Sequence, residues 1–258
     1  MNRRAQLICA WTGPVLTALF LIGAVLLGRF IPPWTRPHYT AQHVAAIYAA
    51  HHTRILIGAF ITIISMSLIA PWGITMAVQT RRKEGMFPVI SYVQLMCVAV
   101  GTVVVVLMSM MWAVCAFRPH EYSPQTVMAL NDVAYFLFLF TWPPFAVWTA
   151  SVALSIFLDT SGDPIFPRWA GWLSIWTTIL FVPAGLMAFF KHGPFSWAGL
   201  MTLYVPVGIF FVWLVAMTYC VIRNIDKGHH HLLPHEAQAL GRASTNGSTS
   251  HDAPVAVA

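Results

Sequence analysis

The 258-residue chain is 58% apolar, carries only 9% Asp, Glu, Lys and Arg, and has a net charge of +6. A soluble domain uses about a quarter charged residues to cover itself, so a water-soluble globule is excluded and a lipid bilayer must clothe most of this surface. The basic balance does not point to nucleic acid either, because the Lys and Arg residues are scattered or stand at the ends of apolar runs, where such residues anchor helices at headgroups.

A membrane-crossing helix needs about 20 mostly apolar residues. Six runs meet that length, at about 8–30, 55–78, 89–117, 126–158, 169–190 and 195–222. The expectation is an all-α, polytopic transmembrane helix bundle over residues 1–227. The first run follows Arg3 and Arg4 as in a secretory signal. It is long, however, and continues into Gly28-Arg29-Phe30-Ile31-Pro32-Pro33 rather than a small-residue cleavage site, so an uncleaved span is expected. Cys9, Cys97, Cys115 and Cys220 lie in or beside apolar runs with no CxxC spacing and read as packing residues.

Short loops set the orientation. With the N-terminus inside, Arg3, Arg4, Arg81, Arg82, Lys83, Arg168, Arg223 and Lys227 are cytoplasmic, while Arg29, Arg36, Arg54, Arg118 and Lys191 lie outside. The Arg81-Arg82-Lys83 turn is the strongest element of this bias, and both termini are placed in the cytoplasm. From Gly228 to Ala258 the composition shifts to His, Ala, Ser, Thr and Gly, which predicts a disordered cytoplasmic tail. Its His229-His230-His231 and His235 form a short tract of the kind that catches metal ions.

Several prolines interrupt the runs. Pro71, Pro183 and Pro206 fall inside or toward the ends of spans, and Pro143-Pro144 sits near the middle of the long fourth run. Proline frees a carbonyl and bends the helix, and within lipid that carbonyl must be satisfied by neighbours or by water. A bend at Pro143 lets the fourth run fit the membrane, either as an ordinary kink or as a discontinuous helix lining a ligand cavity.

The expected outer side gathers His38, His43, His51, His52, His120 and His192, six of the eleven histidines, close to Arg54, Glu121 and Asp132. Asp132 stands about two turns into the fourth span, where a carboxylate is costly unless paired. Arg54, at comparable depth on the second span, is its expected partner, so Arg54, Asp132, Pro143 and Pro144 are the ligand-cavity candidates. His51, His52, His120, Met111 and Cys115 supply the imidazole, thioether and thiol ligands that suit copper(I), although no HxxxH or CxxC pair fixes a geometry. Haem requires facing axial histidines, and no histidine lies deep in a span. Histidines that simply serve helix ends and headgroups account for the same pattern without a cofactor, and none is favoured.

No nucleophile elbow, H-E-x-x-H or G-x-x-x-x-G-K occurs, so no reaction is indicated and a non-enzyme is expected. Asp163-Pro164-Ile165-Phe166-Pro167-Arg168-Trp169-Ala170-Gly171-Trp172 leads into the fifth span. Its Pro-Arg-Trp-x-Gly core resembles a broad group of uncharacterised bacterial six-helix membrane proteins, defined only as a domain of unknown function. The resemblance implies a bacterial cytoplasmic (inner) membrane location and supplies no catalytic residues. The expected role is binding or passing a small apolar or amphipathic ligand, or supporting a membrane partner. The alternative is the membrane subunit of a redox complex with haem or copper near the outer face.

Overall fold

The computed structural model describes residues 3–84, 88–160 and 164–227. Among these residues the secondary structure is helical, with one isolated bridge between Phe30 and Pro33 and no strand. Six helical segments are long and apolar enough to cross a membrane: Arg3–Leu27, Ala41–Arg81, Val89–Phe117, Pro124–Leu158, Arg168–Ala188 and Gly193–Asp226. The chain is a multi-pass membrane protein built as a helix bundle. The tail with its histidine tract, and Asp163 of the Pro-Arg-Trp segment, lie outside the described residues.

Both ends of the bundle share one face. Arg3 at the start of α1 (Arg3–Phe20) donates to the Asp226 carboxylate at the end of α8 (Val205–Asp226), at 2.7 Å. This is the terminal face, and the opposite one is the distal face. Just inside the terminal face, buried amides join three spans. Asn224 donates to Gln79 at 2.7 Å, and Gln79 donates to Gln6 at 2.7 Å. Gln79 belongs to α3 (Ile69–Glu84), which runs without interruption through Arg81 and Lys83, so these basic residues end a helix rather than form a turn. The same helix ends on Glu84, whose carboxylate accepts from the backbone N–H of Ile90 and Ser91 at 2.8 and 2.9 Å. A carboxylate on these orphan donors starts α4 (Val89–Phe117) and complements its dipole.

Span 1 keeps its helix through Pro14 and then widens to a π-helical segment at Leu21–Leu27. There it meets α2 (Ala41–Ser67) at backbone contact. A Cβ placed on Gly58 would lie 2.4 Å from the Gly28 nitrogen and 2.8 Å from the Gly23 carbonyl oxygen. Small residues permit this approach, which packs helices where water supplies no drive. Helix α2 begins at Thr40, whose hydroxyl accepts from the His43 N–H. It bends at His51 (φ −122°, ψ 18°) and breaks at Leu68, three residues before Pro71. At about 1.5 Å per residue its 27 residues extend about 40 Å. Its first turns therefore stand beyond the hydrocarbon and cover the distal end, with Val44 and Tyr48 buried beneath.

At the centre, Trp72, Trp148 and Trp213 from three different spans meet edge to face at 5.4–5.7 Å. Trp72 donates to Thr218 and Trp213 to Ser174, each at 2.8 Å. Large apolar side chains such as Phe60, Val103, Leu154 and Trp172 are exposed on the outside of the bundle, as a lipid-facing surface requires.

Replacing Gly58 by Ala forces two backbones apart and should destabilise the protein by about 2–3 kcal/mol. Gly208→Ala meets nothing within 4 Å and should be neutral or stabilising by up to about 1 kcal/mol through helix propensity. Thermal unfolding of the detergent-solubilised protein measures both; equal effects would contradict the close packing at Gly58.

Candidate functional site

Three consecutive spans lose α-helical geometry in their distal halves. In span 4, α5 (Pro124–Tyr135) widens into a π-turn at Phe136–Phe140, Thr141 leaves the helix, and α6 (Trp142–Leu158) restarts with Pro143 and Pro144 in its first turn. In span 5, α7 (Arg168–Phe181) tightens to a 3₁₀ segment at Val182–Ala188, beginning beside Pro183. In span 6, a π-turn at Leu200–Tyr204 precedes α8, with Pro206 in its first turn. The physical logic is common to all three. A proline lacks the N–H that would continue the previous ladder and is best placed where a new helix begins. The irregular segment of span 5 packs against those of spans 4 and 6, so each break has protein on one side, while Phe136, Val182 and Leu200 stand on the outside.

At this junction lies a cavity of about 70 Å³. All of its lining side chains are apolar. Phe145, Phe181 and Phe210, one from each broken span, face each other at 5.9–6.4 Å, and Val105 and Met66 close the wall from spans 3 and 2. Phe145 and Phe210 also approach Trp148 and Trp213 at 6.5 and 6.2 Å, so the tryptophan cluster continues from the cavity wall. The indole of Trp142 is held against Gly185, where an added Cβ would lie 2.6 Å from its Nε1.

Toward the distal face, a buried polar cluster is centred on Asn131. Its Oδ1 accepts from the Tyr48 hydroxyl at 2.9 Å and from Thr35 at 3.1 Å. Tyr135, one turn later, stacks on Trp197 at 5.0 Å and meets Trp112 edge-on at 5.5 Å, while Trp112 stacks on Phe30 at 3.9 Å. These contacts fasten the 28–40 loop, α2, span 4 and the loop before span 6 to one another.

The residues singled out from the sequence fall in different places. Arg54 does not pair with Asp132. Its guanidinium donates to the Leu26 carbonyl at 2.6 Å and lies over the Trp34 ring at 5.5 Å, serving a carbonyl at the π-helical end of span 1. Asp132 is half-buried and interacts with the Asn131 side chain and with the charge of Lys191. Pro143 and Pro144 create the break, but the cavity wall is formed by the residues on either side of them, Trp142 and Phe145. The proposed copper ligands are not gathered. His51 lies against Trp34 at 4.0 Å, His52 Nδ1 is 3.2 Å from the Ala49 carbonyl, and His120 is exposed. Met111 is half-buried, and the Cys115 thiol donates to the Val127 carbonyl at 3.7 Å. Among the described residues no group of three or more His, Cys, Asp or Glu could hold a metal ion. Arg168 of the Pro-Arg-Trp segment donates to the Phe157 carbonyl at 3.0 Å, closing the C-terminal end of α6.

The sequence reading missed Asn131, Tyr48 and the Gln6–Gln79–Asn224 chain. The usable signal was the cost of burying an amide in an apolar run, which demands a hydrogen-bonding partner. Comparison with protein-family models, with curated proteins and with solved structures finds no match in any of the three.

Two outcomes follow from this geometry. Gly185→Ala should cost about 1–3 kcal/mol by displacing Trp142, and the cost should largely vanish in a Trp142→Ala background, measured as a double-mutant cycle of unfolding. Asn131→Leu strands two buried hydroxyls and should cost about 2 kcal/mol, more than Asp132→Asn; thermal unfolding showing the reverse order would contradict the assignment of Asn131 as the centre of the cluster.

Proposed function

We propose that this protein is a non-enzymatic, multi-pass protein of the bacterial cytoplasmic membrane, with its terminal face in the cytoplasm, that binds or passes a small amphipathic ligand through its apolar cavity. The observation that carries this reading is the coincidence of three helix breaks with a cavity whose side chains are all apolar. Helix irregularities of this kind recur at functional sites, and three packed together are hard to account for as separate kinks.

The chemistry of the wall limits the occupant. It offers rings and methyl groups, so it receives hydrocarbon or an aromatic ring and leaves any polar group of the ligand outside. Its volume is about half that of an apolar cavity of ~150 Å³ that accommodates benzene, which suits a short chain segment. A hydrocarbon arriving from water would gain about 0.8 kcal/mol per buried methylene. One arriving from the bilayer gains only better packing, because lipid tails are equally apolar. Selection among hydrocarbons therefore rests on shape, which suits weak binding or passage.

A short-chain alkyl diazirine, photoactivated on the protein in nanodiscs and mapped by mass spectrometry, tests the reading. Label should concentrate on Trp142, Phe145, Phe181 and Phe210, and Ala184→Phe should lower it there by about threefold or more, the effect of about 0.7 kcal/mol of lost packing. Label spread evenly over Phe60, Val103 and Leu154 on the lipid-facing surface, with no effect of Ala184→Phe, would overturn it.

A further inference from the structure

A second pocket, independent of the apolar cavity, lies on the distal face between the 36–38 segment and the loop that leads into span 6. Its volume is about 340 Å³, and it is lined by Arg36, Pro37, His38, Lys191, His192 and the loop from Gly193 to Leu200. Arg36 and Lys191 bring two fixed positive charges to one small space, and the His38 and His192 rings stack across it at 4.9 Å with 22° between their planes. The lining contains no acidic side chain; the acid that acts on it is Asp132, through Lys191.

The loop is shaped by its own hydrogen bonds. The Ser196 hydroxyl donates to the Gly193 carbonyl at 3.0 Å, Gly199 N–H donates to Ser196 at 2.8 Å, and Met201 N–H donates to Pro194 at 3.0 Å. Gly193 takes a left-handed conformation (φ +76°), and Trp197 is driven into the core against Tyr135. Lys191 and His192 thus adjoin a loop fastened from beneath, and Arg36 faces them from the 36–38 segment. Beside the pocket, Phe189, Phe190 and Leu200 are exposed, Phe189 by 77%. Exposed apolar side chains of this kind at the end of a span border hydrocarbon, which sets the neighbouring pocket toward the headgroups.

We propose that this pocket binds a phosphate group, presented either by the headgroup of an anionic lipid or by the free ion. Guanidinium recognises phosphate oxygens in pairs, and ammonium adds a point charge. The imidazoles contribute N–H donors, and an anion settled among these groups offsets their mutual repulsion.

The test uses the full chain in detergent, titrated with dihexanoyl phosphatidylglycerol, with dihexanoylglycerol as the phosphate-free counterpart, and with inorganic phosphate. The variant is Arg36→Gln/Lys191→Gln; both side chains are exposed, and its fold is checked by thermal unfolding. The expected result is that phosphatidylglycerol binds more tightly than dihexanoylglycerol, and about tenfold more weakly to the variant, as the loss of charged hydrogen bonds requires. Failure of inorganic phosphate to displace the lipid identifies the headgroup as the source. Displacement at millimolar phosphate, with the same variant sensitivity, identifies the free ion. Equal binding of dihexanoylglycerol, or a variant that binds phosphatidylglycerol like the unchanged protein, overturns the proposal. Labelling of the apolar cavity is a separate measurement, so either reading can fail alone.

Discussion

Lipid offers no hydrogen bonds, and that constraint governs where this chain can leave the α-helix. A break facing the bilayer would strand backbone groups at a cost of several kcal/mol each. The irregular segment of span 5 accordingly packs on those of spans 4 and 6, and the widened end of span 1 gives its Leu26 carbonyl to Arg54. The apolar cavity lies where the three breaks meet. Three backbones that deviate together cannot interdigitate as closely as three regular helices, and rings from each one line the space that remains.

The two faces solve the burial of polar groups differently. Near the terminal face, neutral amides bridge spans 1, 2 and 6 through Gln6, Gln79 and Asn224, with the charged residues beyond them. Near the distal face, hydroxyls, an amide and stacked rings form the fastening, and cations are displayed on the loops above it. Amides suit helices that run parallel at close range. Aromatic rings suit the distal end, where loops of irregular path must be tied down and each ring covers a large area with few rotatable bonds.

Much of the fold was legible because hydropathy and length are nearly sufficient in a membrane. The third span was expected at 89–117 and is found at Val89–Phe117, and the other five spans are recognisable in the runs read from sequence. What was not legible is what extends past the bilayer. The polar segment from Ala41 to Arg54 carries no membrane signal, yet it continues the second span as a helix. The break in span 4 was expected at Pro143, whereas the chain departs from α-geometry already at Phe136; the prolines disturb the carbonyls of Leu139 and Phe140, and the widened turn extends one step further back. Charge drew attention to Arg54 and Asp132, but opposite charges on two spans do not reveal which way each side chain points. Arg54 was taken by a carbonyl and a ring nearby. Asn131, adjacent to Asp132 and facing inward, holds the cluster instead.

The contact of Trp72, Trp148 and Trp213 has an optical consequence. Three indoles with centres 5.4–5.7 Å apart and planes crossed at 70–82° are close enough for their electronic transitions to couple and are held in a fixed chiral arrangement. Coupling of this kind adds to the ultraviolet circular dichroism a contribution beyond the sum of the separate indoles. Because each ring comes from a different span, that contribution changes when any one of the three spans shifts, even if every helix stays intact. The centre of the protein therefore carries its own spectroscopic gauge of tertiary packing, distinct from helix content.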